Sequence, residues 1–243
     1  MLDAVVFDFD ETLVDYRHGD SAAIDGVVGM LARPIDAGAL LRKSQEAIRA
    51  LYDSGLSLGS DIHRLRLKIS LEHFGVAWDE AYLREYLRIY CREARPFPHV
   101  VAALEAISGK VKLGLLTNSM DSTEQRARIA ASGLGRFFDR ICLASELGCF
   151  KPEKEAFLAV LGQLNARPGT AAFVGDSEEH DIVGARRVGM KAIKRRTDAS
   201  ASTADYTFSD YRELEGILGR LGAFGSALAG PERRRSGPAE YLG

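Results

Sequence analysis

Near its start the chain reads Asp3-Ala4-Val5-Val6-Phe7-Asp8-Phe9-Asp10, and this stretch decides the fold. It is β-branched and aromatic and too short for a stable helix, so it predicts a buried strand over residues 3–9. Asp8 and Asp10 end that strand, and their i, i+2 spacing projects both carboxylates to the same side. Adjacent carboxylates repel each other unless a cation or a shared proton compensates. The pair therefore suits a magnesium site beside a nucleophile, and a pair of solvated strand-end acids is the alternative.

Further apolar runs resemble this strand, and helical patterns separate them. These runs cover residues 111–117, 140–144, 170–175, 191–194 and 206–208. Strands that alternate with helices indicate right-handed βαβ units and a parallel sheet. We therefore predict an α/β fold with a Rossmann-like parallel sheet as its core. Ligands of such sheets bind at the carboxyl ends of the strands, where Asp8 and Asp10 are expected.

Residues 16–94 interrupt this alternation, because they contain about four helical patterns and no strand-like run. A small helical-bundle cap, inserted directly after the first strand, is the expected structure. The stretch Arg95-Pro96-Phe97-Pro98 would end the last of these helices and return the chain to the sheet. The predicted units are an α/β catalytic core over residues 1–15 and 95–221, a helical cap over 16–94 and a mobile tail over 222–243.

Polar side chains also follow the later predicted strands. Thr117 and Asn118 end the second strand, where a hydroxyl, an amide and free backbone N–H groups can hold a phosphate. Lys151 would neutralise charge beside such a phosphate. Asp176 follows the strand over 170–175, and with Asp181 it can complete an oxygen-ligand shell for magnesium. Taken singly, the polar residues after the second strand are also explained as a helix cap, and Lys151 as a surface lysine. Helix N-terminal acids would explain Glu178 and Glu179 but not Asp176, which lies before the helix.

Composition excludes several other classes of protein. The 243 residues are 46% apolar with a net charge of -2, which supports a sizeable core and gives no sign of a nucleic-acid partner. No apolar stretch approaches the roughly 20 residues of a membrane helix. The three cysteines lack C-x-x-C spacing, so disulfides and a zinc site are not expected, and a reducing cytoplasm fits.

The polar residues described above, in their order along the chain, resemble the four motifs of the haloacid dehalogenase superfamily. Its first motif is matched by 8–13 (Asp-Phe-Asp-Glu-Thr-Leu), its second by 115–118 (Leu-Leu-Thr-Asn), its third by Lys151-Pro152 and its fourth by 175–177 (Gly-Asp-Ser) with Asp181. The resemblance covers roughly residues 3–200 and points to the phosphatase branch, in the manner of phosphoglycolate phosphatases. The family fold, a Rossmann-like sheet with a helical cap inserted after the first motif, agrees with the organisation predicted above.

The resemblance implies catalytic and phosphate-binding roles. Asp8 looks like the nucleophile that attacks phosphorus. Asp10 resembles the general acid that protonates the leaving alcohol and later activates water. Thr117 and Lys151 would bind the transferring phosphoryl group, with Asn118 behind them. A carboxylate nucleophile of this kind divides hydrolysis into two steps.

The resemblance also implies a cofactor, Mg²⁺. Asp8, the backbone carbonyl of Asp10 and Asp176 would hold the ion, with Asp181 as an outer partner. The five-residue step from Asp176 to Asp181 is one longer than in many relatives. Glu11 also departs from the pattern, because many members have Gly at that position.

The expected function is therefore magnesium-dependent hydrolysis of a small phosphate monoester through an aspartyl-phosphate intermediate. A phosphomutase or a non-hydrolytic phosphometabolite-binding protein on the same fold is the alternative. A 2-haloacid dehalogenase is disfavoured, because dehalogenases of this superfamily typically lack the second Asp and Asp10 is present here. The identity of the phosphometabolite and the oligomeric state stay open.

Overall fold

A computed structural model describes residues 1–54, 59 and 61–223 of the chain. Within these residues, six parallel strands form one sheet in the order β3-β2-β1-β4-β5-β6. This arrangement confirms the predicted α/β fold class with a parallel sheet. The strands are β1 Ala4–Phe7, β2 Lys112–Thr117, β3 Arg140–Leu143, β4 Ala171–Gly175, β5 Lys191–Arg195 and β6 Tyr206–Phe208.

Helices cover both faces of the sheet, because successive strand residues point to opposite faces and both faces are apolar. In β1, Val5 and Phe7 belong to one buried cluster, while Ala4 and Val6 belong to another. The helices between and after the strands are α5 Val100–Ile107, α6 Ser122–Ser132, α7 Ala144–Leu147, α8 Lys154–Leu164, α9 Gly184–Arg187 and α10 Leu214–Arg220.

The strand order determines where along the sheet a ligand can bind. The chain runs outward from β1 through β2 to β3, then returns to place β4 on the other side of β1. The connections after β1 and β4 therefore lead in opposite directions and leave a crevice at the carboxyl ends of these two strands. Asp8 and Asp176 follow these two strands directly.

Residues between β1 and α5 form a helical insertion, which we define as α1 Tyr16–Gly29, α2 Ala37–Asp53, α3 Asp61–His73 and α4 Glu80–Arg92. Its helices share an apolar cluster of their own, separate from the clusters on the sheet. The two chain segments that join it to the sheet lie side by side. Phe97 N donates to Leu13 O at 2.9 Å, and Asp15 N donates to Arg95 O at 3.0 Å. Its status as a separate cap domain over 16–94 stays a prediction.

The C-terminal end of the described structure packs against the start of the chain. Leu2 N donates to Gly222 O at 3.2 Å, and Ala223 is buried. The first two residues of the predicted tail therefore belong to the folded part. The rest of that tail, 224–243, lies outside the described residues. No helix among the described residues is both long and apolar enough to cross a membrane.

Candidate active site

Asp8, Thr117 and Asp176 lie together because three neighbouring strands end at one edge of the sheet. β1 pairs with β2 and with β4, and Phe7 is opposite both Leu115 and Val174. The residue that follows β1 is therefore level with the ends of both neighbours. The structure thus brings Asp8 together with two predicted site residues that are each more than 100 positions away in the sequence.

Lys151 reaches this edge from the segment between α7 and α8. Its Nζ lies 2.6 Å from Asp8 Oδ1 and 2.7 Å from Asp181 Oδ1, and its side chain is only 3% exposed. Burial disfavours the ammonium, but the two carboxylates outweigh it and raise the pKa of Lys151. A buried ammonium beside Asp8 is suited to neutralise a bound anion.

Asn118 fixes the backbone of Lys151. Its Nδ2 donates to Lys151 O, and Lys151 N donates to Asn118 Oδ1, both at 2.9 Å. Both ends of the amide are therefore engaged with Lys151. The Asn118 side chain therefore fixes the position of the Lys151 backbone.

Three carboxylates form an all-oxygen cluster at the same edge. Asp8, Asp176 and Asp181 each offer one oxygen, and these atoms lie within 4.8 Å of one another. Such a set fits a hard cation that prefers oxygen ligands and does not suit zinc. Burial, reinforced by the neighbouring acids, raises the pKa of Asp8 to about 8 and that of Asp176 to about 6. A cation in this group would relieve that mutual repulsion.

The chain reaches Asp181 through a π-helical turn, Glu178–Val183. Ser177 O accepts from Asp181 N at 3.0 Å and from Ile182 N at 3.1 Å, so one turn holds an additional residue. This turn accounts for the five-residue step from Asp176. Ser177 N donates to Asp181 Oδ2 at 3.0 Å, which aims the buried carboxylate into the cluster.

Asp10 has a different environment from Asp8. Its side chain is 27% exposed and lies against α6, where Arg128 Nη1 donates to Oδ2 at 3.0 Å and Nη2 donates to Oδ1. Gln125 Nε2 lies 3.3 Å from Asp10 Oδ2 and 3.3 Å from Thr117 Oγ1. The Asp10 carboxylate is therefore not a member of the three-acid cluster. That the backbone carbonyl of Asp10 holds the cation stays a prediction.

The sequence pattern predicts a helix in this region but does not mark Gln125 and Arg128 as site residues. In the structure their i, i+3 spacing places both on the face of α6 that meets Asp10. One feature of the sequence does point to them. Ile129 marks the buried side of α6, and long polar residues on that side need polar partners.

Two cavities adjoin the site. One, of about 310 Å³, is lined by Asp10 and Arg128 and by residues of the helical insertion that include Tyr16, His63 and Tyr90. The other, of about 1120 Å³, extends past Lys151 and Asn118 towards the C-terminal end of α2. The insertion therefore forms one wall of the space around Asp10.

Known proteins resemble the chain over most of its length. A glyceraldehyde 3-phosphate phosphatase from Methanothermobacter thermautotrophicus is 27% identical, and the match covers 85% of this chain and 91% of the relative. A protein described as probable phosphatase IndB, from Dickeya dadantii, is 30% identical over 78% of this chain and 79% of its own length.

Solved structures share the fold. The magnesium-bound HAD-hydrolase YfnB from Bacillus subtilis superposes with a TM-score of 0.75 at 21% identity, covering 89% of this chain and 98% of that one. A 2-haloacid dehalogenase from Pseudomonas syringae gives a TM-score of 0.68 at 27% identity, covering 90% and 99%.

A family model described as haloacid dehalogenase-like hydrolase matches residues 2–189. That range contains all four sequence motifs and the helical insertion. The match confirms the predicted family and the prediction that the chain is a hydrolase. The protein belongs to the haloacid dehalogenase-like hydrolases.

Proposed function

We propose that this protein is a magnesium-dependent phosphatase that hydrolyses a small phosphate monoester through an aspartyl-phosphate at Asp8. The observation that supports it most directly is the contact of Asp8 with Lys151 at 2.6 Å inside the three-acid cluster. Together, a carboxylate nucleophile, a buried cation and an oxygen-ligand site can supply the covalent intermediate and the charge neutralisation of such a phosphoryl transfer. The phosphatase names of the two relatives support the same reaction.

In the first proposed step, an oxygen of Asp8 attacks phosphorus. The bond between phosphorus and the ester oxygen breaks, and Asp10 donates a proton to the departing alkoxide. Lys151, and Thr117 through its hydroxyl, balance charge on the phosphoryl oxygens. In the second step, Asp10 removes a proton from water, and the water oxygen attacks phosphorus. The bond between phosphorus and the Asp8 oxygen breaks, so inorganic phosphate leaves and Asp8 is regenerated as a carboxylate.

Mg²⁺ is the proposed cofactor, and the donor set described above fits it. Asp8 and Asp176 would hold the ion together with the backbone carbonyl of Asp10. Asp181 is proposed as an outer partner that also pairs with Lys151. When bound, the ion supplies positive charge to the phosphoryl oxygens. We expect EDTA to abolish turnover and Mg²⁺ to restore it, and full activity in EDTA would contradict the assignment.

Asp10 favours the phosphatase over the dehalogenase suggested by one structural neighbour. Displacing a halide requires no proton on the leaving group, whereas an alkoxide does. The resemblance implies that dehalogenases lack this second Asp. Here Asp10 is present and two side chains of α6 hold it in place.

The experiment that tests the proposal replaces the nucleophile. Asp8→Asn should remove turnover of p-nitrophenyl phosphate in Mg²⁺, because an amide is a poor nucleophile, while the fold is retained. Asp3→Asn is the matched control, because Asp3 is an exposed residue just before β1, at the opposite end of the strand. Steady-state hydrolysis by Asp8→Asn above that of a mock purification would exclude the mechanism.

Substrate size gives a second test. The smaller cavity, about 310 Å³, adjoins Asp10 and has room for a small leaving group. We expect kcat/KM for metabolite monoesters such as phosphoglycolate, sugar phosphates and nucleoside monophosphates to exceed that for phosphopeptides and phosphorylated oligonucleotides. Faster turnover of the macromolecules would contradict a role for the helical insertion as a closed cap.

A reducing cytoplasm is the proposed location. All three cysteines are free thiols in the described structure, which supports this proposal.

A further inference from the structure

Arg128 holds Asp10 with two parallel hydrogen bonds. Nη1 and Nη2 of its guanidinium each bond one carboxylate oxygen. The arginine side chain is 2% exposed, so it has little freedom to move away. A two-point contact between planar groups fixes both the position and the rotation of the carboxylate, which a single hydrogen bond does not.

Gln125 completes the attachment of Asp10 to the site. Its Nε2 lies between Asp10 Oδ2 and Thr117 Oγ1, and its Oε1 accepts from Arg128 Nη1 at 3.3 Å. Asp10, Gln125 and Arg128 therefore form a closed group beside the predicted phosphate-binding hydroxyl of Thr117.

The helical insertion in turn holds Arg128. The guanidinium carbon lies 4.4 Å from the centre of the Tyr90 ring and 5.8 Å from that of Tyr16, within the range of cation–π attraction. Glu124 also faces Arg128 Nε at 3.4 Å, and its other oxygen lies 3.7 Å from His63 Nε2. Tyr16 and Tyr90 come from α1 and α4, and His63, which faces Glu124, comes from α3, so three helices of the insertion contribute to the surroundings of Arg128.

From these contacts we infer that Arg128 is a positioning residue that orients the Asp10 carboxylate towards the leaving group, and that Tyr90 and Tyr16 keep Arg128 in place. The inference rests on the proposed function, because orientation of Asp10 matters only if Asp10 transfers a proton. A proton donor must lie within hydrogen-bond reach of the ester oxygen. Without Arg128, the partly exposed Asp10 side chain would occupy other rotamers and reach that oxygen less often.

A double-mutant cycle tests the inference. We would measure kcat/KM of wild type, Arg128→Met, Asp10→Asn and the double variant. The substrates are p-nitrophenyl phosphate and the alkyl phosphate that wild type hydrolyses fastest. Arg128→Met should lower the alkyl value by about tenfold or more and the aryl value much less, because p-nitrophenolate barely needs a proton. In the Asp10→Asn background, Arg128→Met should cause no further loss of comparable size in kcat/KM for the alkyl phosphate.

The outcomes separate the inference from the proposed function. If Asp10→Asn leaves turnover of the alkyl phosphate unchanged, the proposed role of Asp10 is wrong. If Asp10→Asn has its expected effect but Arg128→Met causes equal losses in both backgrounds, or on both substrates, the inference alone is overturned. A purely structural role of Arg128 would give such equal losses.

Arg126→Met is the matched control, because Arg126 lies on the same helix and also makes two hydrogen bonds to a carboxylate, Glu146, but is exposed. Its kcat/KM should equal that of wild type on both substrates. Should Arg128→Met fail to fold, Tyr90→Leu takes its place, since it removes the ring beside Arg128. A loss confined to the alkyl phosphate would support the inference, and equal losses on both substrates would overturn it.

Discussion

Gly175 is the residue that lets Asp181 enter the acidic cluster. A Cβ added at this position would lie 2.4 Å from the Asp181 carboxyl carbon, which is closer than real Cβ contacts. The backbone of Gly175 is that of an ordinary strand. The requirement for glycine here is therefore steric and comes from the approach of Asp181.

We predict that Gly175→Ala displaces Asp181 and so removes one partner of Lys151. The cost of overpacking is about 1–3 kcal/mol in unfolding free energy, and Mg²⁺ affinity should fall as well. Urea unfolding and Mg²⁺ titration measure the two effects. Gly162→Ala is the control, because it lies in α8 with no atom within 4 Å of an added Cβ and should be neutral or stabilising. Equal behaviour of the two variants would contradict this account.

The junction between β1 and α1 explains why Glu can stand at position 11. Glu11 has φ of 55°, the left-handed conformation in which glycine is the favourable residue. Its side chain compensates, because Oε1 accepts from Arg17 N at 3.1 Å and Oε2 lies 3.6 Å from Arg17 Nε. Glu11 thus helps to cap the first helix of the insertion, together with Asp15. Arg195 Nη1 also donates to Glu11 O at 2.6 Å and so fixes this turn.

Two substitutions at this junction separate strain from capping. Glu11→Gly loses the cap but relieves the backbone, so we expect stability close to that of wild type. Glu11→Ala loses the cap and keeps the strain, so it should be less stable than Glu11→Gly by about 1 kcal/mol. Chemical unfolding of both variants measures this difference. If Ala proves as stable as Gly, the left-handed conformation is not costly here.

Considered as a whole, the molecule should couple metal binding to proton release. In the metal-free protein the pKa values of Asp8 and Asp176 are raised to about 8 and about 6, so below its pKa each acid holds a proton that Mg²⁺ must displace. The folded state also binds more protons than the unfolded state between pH 4 and these values. The contribution of these two acids to metal-free stability therefore falls as pH rises through this window.

The increase in Tm caused by Mg²⁺, relative to EDTA, should therefore grow from about pH 5 to about pH 8. Thermal unfolding with and without Mg²⁺ at several pH values measures it. Asp176→Asn should weaken the increase, and Asp205→Asn, remote from the cluster but also a carboxylate with a shifted pKa, should not. An increase in Tm that is independent of pH would show that the cluster does not exchange protons for the ion.

Much of this molecule was predictable, because a parallel sheet gathers the ends of its strands. Apolar periodicity identified the strands, and the polar residues after them, such as Asp8 and Asp176, had to meet at one edge. The roles of Gln125 and Arg128 were not predictable in this way. They depend on which face of α6 turns towards Asp10 and on the packing of the insertion against that helix, and helical spacing alone does not specify either.

The π-helical turn after Ser177 also has a consequence for how the length of this chain can change during evolution. A regular helix rotates by about 100° per residue, so gaining or losing one codon normally turns every later side chain away from its partners. Here the surplus residue is taken up within a single turn, and Asp181 still points at Lys151. Glu179 is exposed at this turn and Asp181 is anchored beyond it. An in-frame deletion of codon 179 should therefore close the turn to an ordinary helix and leave the acid in place, which makes this one point where lineages can differ in length without losing the chemistry.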